Sequence, residues 1–417
     1  MALKDLIEHS PRRRAFLKSL AAGTAAALAS PMVSAGSQIN PAQTAPPGKI
    51  RKDGMVYRRL GRTGLYISEI SLGGSPLPDE RLLFRLIERG INYIDTSDTY
   101  ENGNCERKVG RLFKALGRDK IYVHARFHLT GPWTEASIIS SVEASLRRLG
   151  TDYVEVLGIH GVENPDHVTD ERILGAFAKL KAQGKFRFRG LTCHVNQHTV
   201  IPKVVECGLY DIIQIGYNVF DILETEKEVK TYSDYLGESG TRKLIDLAHS
   251  QDVGITAMKA LKIGGRRQDL SAYQSEGSTL IQAMLKWVLE NEHISAVVTE
   301  ILNEEQMEQD LAVVGVPLAP ADQRMLYVHI AANAREYCHF CGLCQAACPA
   351  GVRTADLSRC LAYHESYGKT GHARARFGKI MAMGGVPACG NCGACERACP
   401  YGLDVRERTQ RAAAALA

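Results

Sequence analysis

The stretch GINYIDTSDTYENGNCERKVG, residues 90–110, carries the pattern that decides the fold. A short apolar run, Ile91–Thr96, holds Asp95 near its end, and Tyr100 follows five positions after that aspartate. Runs of this kind recur on both sides. Working outward, the candidate strands are Ile67–Leu72, Ile91–Thr96, Ile121–Phe127, Tyr153–His160, Phe186–Cys193, Asp211–Gly216, Gly254–Lys259 and Ile294–Val298. Amphipathic helix patterns lie between them, such as Asp79–Arg89, Glu135–Leu149, Asp170–Ala182 and Thr241–Ser250. The last, Asn303–Val314, opens with Asn303-x-x-Gln306, a capping-box spacing. A hairpin-like entry, VYRRLGRTGLYISEISLGG (56–74), leads into the first strand. Eight alternations over about 265 residues predict one α/β domain, a (β/α)8 TIM barrel, whose usual size is about 250 residues. An open doubly wound sheet is the alternative, but no Gly-x-Gly-x-x-Gly follows the first strand.

In such a barrel the chemistry sits at the C-terminal strand ends. Those ends offer Asp95 with Tyr100, then His124, Arg126 and His128, then His160, then Thr192-Cys193-His194, then Gln214, then Lys259. Strand alternation places His124, Arg126 and His128 on one face. An Asp, a Tyr, a cation and a His at one rim are the parts for carbonyl chemistry. The Tyr hydroxyl can protonate a carbonyl oxygen, a nearby cation tunes it, the Asp holds the cation, and the His orients the oxygen.

Residues 55–315 resemble an aldo/keto reductase. The matching stretches are YRRLGRTGLYISEISLGG, GINYIDTSDTYENGNCERKVG, DYVEVLGIH, GKFRFRGLTCH, IIQIGYN and GITAMKALKIGG. The resemblance implies a catalytic tetrad in which Asp95, Tyr100 and His160 take family positions. The family's strand-three lysine falls on Arg126. An arginine can pair Asp95 bidentately and lower the Tyr100 pKa, but it cannot relay a proton. The resemblance also places Thr192, Cys193 and Gln214 where the family contacts a nicotinamide amide, with Cys193 standing where Asn is usual. Lys262 and Gly264 lie in a basic, Gly-containing loop that could hold a pyrophosphate. NAD(P)(H) is thus a candidate cofactor. Glu300, Glu304 and Glu305, where NADPH-dependent members bind the 2′-phosphate, would repel that group and argue against NADPH.

Of 12 cysteines, eight form two runs, Cys338-x-x-Cys341-x-x-Cys344-x-x-x-Cys348-Pro349 and Cys389-x-x-Cys392-x-x-Cys395-x-x-x-Cys399-Pro400. Each has the bacterial ferredoxin spacing, and two copies predict two 4Fe-4S clusters. In two-cluster ferredoxins the fourth cysteine serves the other cluster. One quartet is then Cys338, Cys341, Cys344 and Cys399; the other is Cys389, Cys392, Cys395 and Cys348. Some 40 residues separate the runs, far more than in the smallest ferredoxins, and their helical look points to a ferredoxin module of the helical type. Residues 321–417 are therefore read as a small, mainly helical ferredoxin-like domain after a barrel at 55–320. Cys105, Cys193, Cys207 and Cys360 remain as buried small hydrophobes.

Residues 1–35 pair Arg13-Arg14 with an Ala-rich run and a small-residue cleavage site, Val33-Ser34-Ala35. They resemble a twin-arginine signal. Residues 36–54, polar and with three prolines, read as a flexible linker. Apolar residues make up 45% and charged residues 23% of the 417, which excludes a disordered or fibrous chain. Of the net charge of +5, the leader carries +3 (Lys4, Arg12, Arg13, Arg14 and Lys18 against Asp5 and Glu8), leaving +2 and no nucleic-acid footprint.

Together these features predict an exported, periplasmic iron–sulfur oxidoreductase of the aldo/keto reductase type. Its expected partners are a carbonyl or alcohol substrate, the twin-arginine translocase, and a membrane or periplasmic electron carrier. Two alternatives are an NAD(P)H-dependent reductase with structural clusters and a non-catalytic electron-transfer subunit.

Overall fold

A computed structural model describes residues 48–129, 131–224, 240–261, 274–275, 277–333, 336–382 and 389–417. The leader (1–35), linker residues 36–47, Lys262 and Gly264 lie outside the described residues.

The described chain opens with an antiparallel sheet of β1 (Lys49–Lys52), β2 (Met55–Arg59) and β3 (Tyr66–Ser68). β1 falls within the stretch read as linker, which is a correction. Asp53 and Gly54 both have positive φ (49° and 83°) between the paired residues Lys52 and Met55. That is the two-residue turn that Asp-Gly favours, because its twist matches that of the flanking strands.

The expected strand Ile67–Leu72 is two strands. β3 belongs to the entry hairpin, and β4 (Ile70–Gly73) begins the barrel. Glu69 marks the break. Its carboxylate accepts from buried Arg58 Nε at 3.0 Å, and its N–H donates to the Val56 carbonyl. The barrel continues with β5 (Tyr93–Ser97), β6 (Tyr122–Phe127), β7 (Val154–Ile159), β8 (Phe186–Cys193), β9 (Ile212–Gly216) and β10 (Gly254–Met258). A small ladder of β11 (Gln274–Ser275) and β12 (Ser278–Thr279) follows, and β13 (Ala296–Thr299) closes the barrel against β4. The eight barrel strands run parallel, as a TIM barrel requires.

Alternation divides the side chains into two cores. Outward residues such as Leu72, Ile94, Val123, Leu157 and Ile213 pack under the helices. Inward residues Tyr93, Val156, Ile212 and Ala296 meet Leu60 and Ile67, which the entry hairpin carries. His124 fills the interior higher up, where a Cβ on Gly190 would lie 2.8 Å from its Nε2. Gly190 on β8 and Gly158 on β7 together leave room for that ring.

The helices Glu135–Leu149 and Thr241–Ser250 have the predicted bounds. Helix Glu304–Leu311 has half of its expected capping box. Asn303 Oδ1 accepts from Gln306 N, but Gln306 Oε1 accepts from Leu302 N rather than Asn303 N. Helix Pro320–Asn333 packs Met325, Leu326 and Ile330 onto Val219, Leu280 and Met284 of the barrel. The division at 320/321 thus cuts in front of a helix that belongs to the barrel's packing. Beyond it every element among the described residues is helical, and Thr354–Glu365, Thr370–Ala382 and Val405–Leu416 enclose a small core around Leu357, Leu361 and Phe377.

Candidate active site and cluster cradles

β5 and β6 lie side by side, with Ser97 paired to Arg126. Their inward faces bring Asp95, Ser97, His124 and Arg126 into the barrel. Arg126 is at the centre and 2% exposed. It forms an ion pair with Asp95 Oδ1 and donates to Tyr100 Oη at 2.8 Å. Its other nitrogens donate to Thr192 Oγ1 and Gln214 Oε1, both at 2.9 Å, and to the Thr96 carbonyl at 3.3 Å. Gln214 Nε2 completes the ring by donating to Asp95 Oδ2 at 2.9 Å. A buried guanidinium needs its donors satisfied, and here five partners do so.

Tyr100 opens a tight turn in which Glu101 and Asn102 hold left-handed φ of 48° and 54°. Such backbone is costly for non-glycine residues and marks a turn held by its surroundings. The Tyr100 pKa is raised. Burial is the main cause and Asp95 adds to it, while Arg126 pulls the other way. Arg126 therefore acts in the expected direction but does not win, and Tyr100 stays a phenol.

His160 directly follows β7, with its ring edge-on to Tyr100 at 5.4 Å. Its Nδ1 lies 3.0 Å from Ser97 Oγ, and Ser97 Oγ lies 3.0 Å from Asp98 Oδ1. A carboxylate only accepts, so Ser97 donates to Asp98 and accepts from His160 Nδ1–H. This leaves Nε2 with a lone pair. Burial holds His160 neutral, and Arg126 and neighbouring histidines reinforce that. Two further rings flank it, His128 at 3.9 Å and His194 at 5.4 Å. Burial, then Lys259 and Arg359, likewise push His194 down.

Asp95, Tyr100, Arg126, His160, Thr192 and Gln214 are thus brought together. Cys193 is not. Alternation turns it outward from Thr192 into the packing under the helices, where its thiol donates to the Val195 carbonyl at 3.0 Å. Thr192 and Gln214 already engage Arg126, Asp95 and each other, which leaves one Gln214 Nε2 hydrogen and one Thr192 Oγ1 lone pair for an amide-reading role. Sequence reasoning missed Ser97, although it lies two residues after Asp95 on the same strand face.

The C-terminal cysteines line two cradles. One holds Cys338, Cys341, Cys344 and Cys399. The other holds Cys348, Cys389, Cys392 and Cys395. These are the crossed quartets that the spacing predicts. Among the described residues no three Cys, His, Asp or Glu side chains converge on a single-ion site. The four thiols of each quartet line one space, as the ligation of a cubane cluster requires.

The cradle domain forms a roof on the barrel mouth. Arg359 pairs with Glu163 after β7, and Asn196 N donates to the Phe340 carbonyl at 3.4 Å. Asn218 Nδ2 donates to Tyr337 Oη at 2.8 Å, and Lys369 reaches Glu300 and the Ser75 carbonyl. The first quartet's loop therefore rests on the ends of β8 and β9.

The Aldo/keto reductase family profile matches residues 78–329, and a 4Fe-4S dicluster domain profile matches residues 337–403. Aldo-keto reductase AMT2 of Alternaria alternata is 25% identical over 352 residues, covering 68% of this chain and 95% of its own. L-galactose dehydrogenase of Arabidopsis thaliana is 27% identical over 298 residues, covering 62% and 87%. Among solved structures, an aldo-keto reductase of Bacillus halodurans superposes with a TM-score of 0.52 at 22% identity, over 65% of this chain and 95% of that one. An aldo-keto reductase of Klebsiella pneumoniae, solved in complex with NADPH, gives 0.51 at 22% identity, over 64% and 92%. At such identities the structures establish the shared barrel. With a family profile spanning most of the barrel and the dicluster profile behind it, the chain belongs to the aldo/keto reductase family and carries a C-terminal 4Fe-4S dicluster domain.

Proposed function

We propose that this oxidoreductase interconverts an alcohol and a carbonyl at the Tyr100–His160 rim and works with one-electron carriers rather than a free nicotinamide. The observation that carries this reading is the pairing of Tyr100 and Arg126. Arg126 donates to Tyr100 Oη, so the phenol's own proton points to a substrate oxygen. Burial keeps that proton in place, which suits a general acid for carbonyl reduction. His160 Nε2 offers a lone pair beside it. A phenolic donor next to an imidazole acceptor complements a hydroxyl, which accepts from one and donates to the other.

When bound, the two clusters would supply one-electron oxidation and reduction, held by Cys338, Cys341, Cys344 and Cys399 and by Cys348, Cys389, Cys392 and Cys395. Two one-electron centres can hold the two electrons of carbonyl–alcohol interconversion, and a flavin-class two-electron carrier bound in the barrel would take the substrate's hydride and pass its electrons on singly. Most hydrogen bonds of Thr192 and Gln214 are already made within the barrel, which supports this reading over a nicotinamide-dependent one.

Export to the periplasm is the second part of the proposal. It rests on Arg13-Arg14 and the Ala-rich run behind them. A route that carries folded proteins suits a chain whose cysteines receive clusters before export. The electron partner is then a membrane or periplasmic carrier. Arg13→Lys with Arg14→Lys should trap the protein inside the cell, as fractionation would read; unchanged export would contradict this part.

The enzymatic part is tested by supplying anaerobically purified holoprotein with reduced viologen and a panel of aldehydes and ketones. Viologen oxidation is expected for the wild type. In Tyr100→Phe it should fall about 100-fold or more with an unchanged cluster spectrum. Turnover with NADH or NADPH, and none with the dye, would overturn the reading.

A further inference from the structure

The charged side chains at the barrel mouth are mostly neutralised in place. Arg126 has Asp95, Arg359 and Arg376 share Glu163 and Asp356, and Lys369 has Glu300. Lys259 is the exception. Among the described residues its ammonium has no hydrogen bond and no ion pair. It faces the Phe340 ring at 5.5 Å.

The backbone brings it there. Thr256 pairs with inward-facing Gln214, so strict alternation would send residue 259 outward from the barrel. Lys259 instead has φ of +62°, left-handed for a residue with a Cβ. That break carries the side chain across the rim, past Gly216, where a Cβ would meet its Cδ at 3.6 Å. Strained backbone of this kind costs free energy and persists at working sites. Lys259 also shares its surroundings with His194, next in line to His160. Burial, with Arg359 adding, lowers its pKa to about 7, while Cys193 and Glu163 act to raise it. Lys259 is partly buried, and an ammonium that has lost much of its water and has no counter-ion among the described residues gains from an arriving anion.

We infer that Lys259 anchors a carboxylate on the substrate, so that the alcohol or carbonyl taken at Tyr100 belongs to a hydroxy or oxo acid. This rests on the reading of the Tyr100–His160 rim as a carbonyl–alcohol site. Tyr100 and His160 hold the reacting oxygen, and Lys259, close enough to act on His194, holds the acid group. Phe340 stands between Lys259 and the first cysteine cradle, which it also lines.

The test titrates the anaerobic holoprotein with pyruvate and lactate, and with hydroxyacetone and propane-1,2-diol as uncharged counterparts, by calorimetry. The wild type is expected to prefer the acids by about 10-fold or more. Lys259→Met should abolish that preference and Lys259→Arg should keep most of it, with Lys259→Gln as a second neutral variant should Met fail to fold. Tyr100→Phe should retain the preference while losing turnover. Retained turnover there would sink the rim reading without touching the anchor. Equal affinity for acids and neutral probes, no binding of either acid, or a preference that survives in the neutral variants would overturn the anchor. So would neutral variants that only shift a cluster midpoint potential, since the lysine would then serve the cluster.

Discussion

The barrel and its roof are held together in different ways. The barrel has two layered cores and an inner network in which one arginine satisfies five partners. The roof has a small core beside two cysteine-lined spaces. A domain of that size rarely stands on apolar burial alone and gains from a metal staple. The comparison teaches that the rim's side chains are preorganised by protein, whereas a core this small is expected to draw part of its stability from its clusters.

The strongest way to break this contrast is to remove the iron. Chelation under reducing conditions should strip hydrogen-exchange protection from residues 336–417 while β5 to β9 keep theirs; loss of both together would refute it. Next is the arginine. Arg126→Leu leaves Asp95 buried without its cation, and such losses cost about 3–5 kcal/mol. Denaturant titration of the holoprotein should read a drop of that order, with the cluster spectrum retained.

Acid should act on the barrel by a separate route. His124, His160 and His194 all have pKa values pushed well below the ordinary 6.5, chiefly by burial. The unfolded chain binds protons below that value and the native one does not. Stability is therefore present above pH 6.5 and is lost as pH falls, by up to about 1.4 kcal/mol per histidine per pH unit. Denaturant midpoints at pH 7.5 and 5.5 measure this, and a flat profile would argue against neutral buried rings. The smallest effect belongs to the roof's half-exposed ion pairs. Lys369→Ala should cost no more than about 1 kcal/mol, sharpening the view that such pairs orient the roof rather than hold it.

Much of this was legible in the sequence, for physical reasons. Eight strand–helix units can be read because burial imposes its period on each one. The cysteine quartets can be read because cubane ligation demands that spacing, and the meeting of Asp95, Tyr100, Arg126 and His160 follows from strand-end positions. Alternation, applied one residue further, would also have added Ser97 and turned Cys193 away. The Asp53-Gly54 turn carried its own local signal inside a stretch that looked like linker. Other features had no local signal. Arg359 meets Glu163 across 196 positions, so the roof's seat is a tertiary fact. The left-handed backbone at Lys259 is likewise set by the rim around it. The pKa of Tyr100 turned on burial, which a residue list cannot weigh against a neighbouring cation.

The most direct test of the central claim is a single-turnover experiment. The oxidised holoprotein is mixed anaerobically with the alcohol partner of whichever carbonyl the viologen panel identifies, and cluster absorbance near the visible charge-transfer band is followed. The account predicts bleaching in the wild type and a rate slowed about 100-fold or more in Tyr100→Phe, with identical starting spectra. Equal bleaching rates in the two proteins would contradict it.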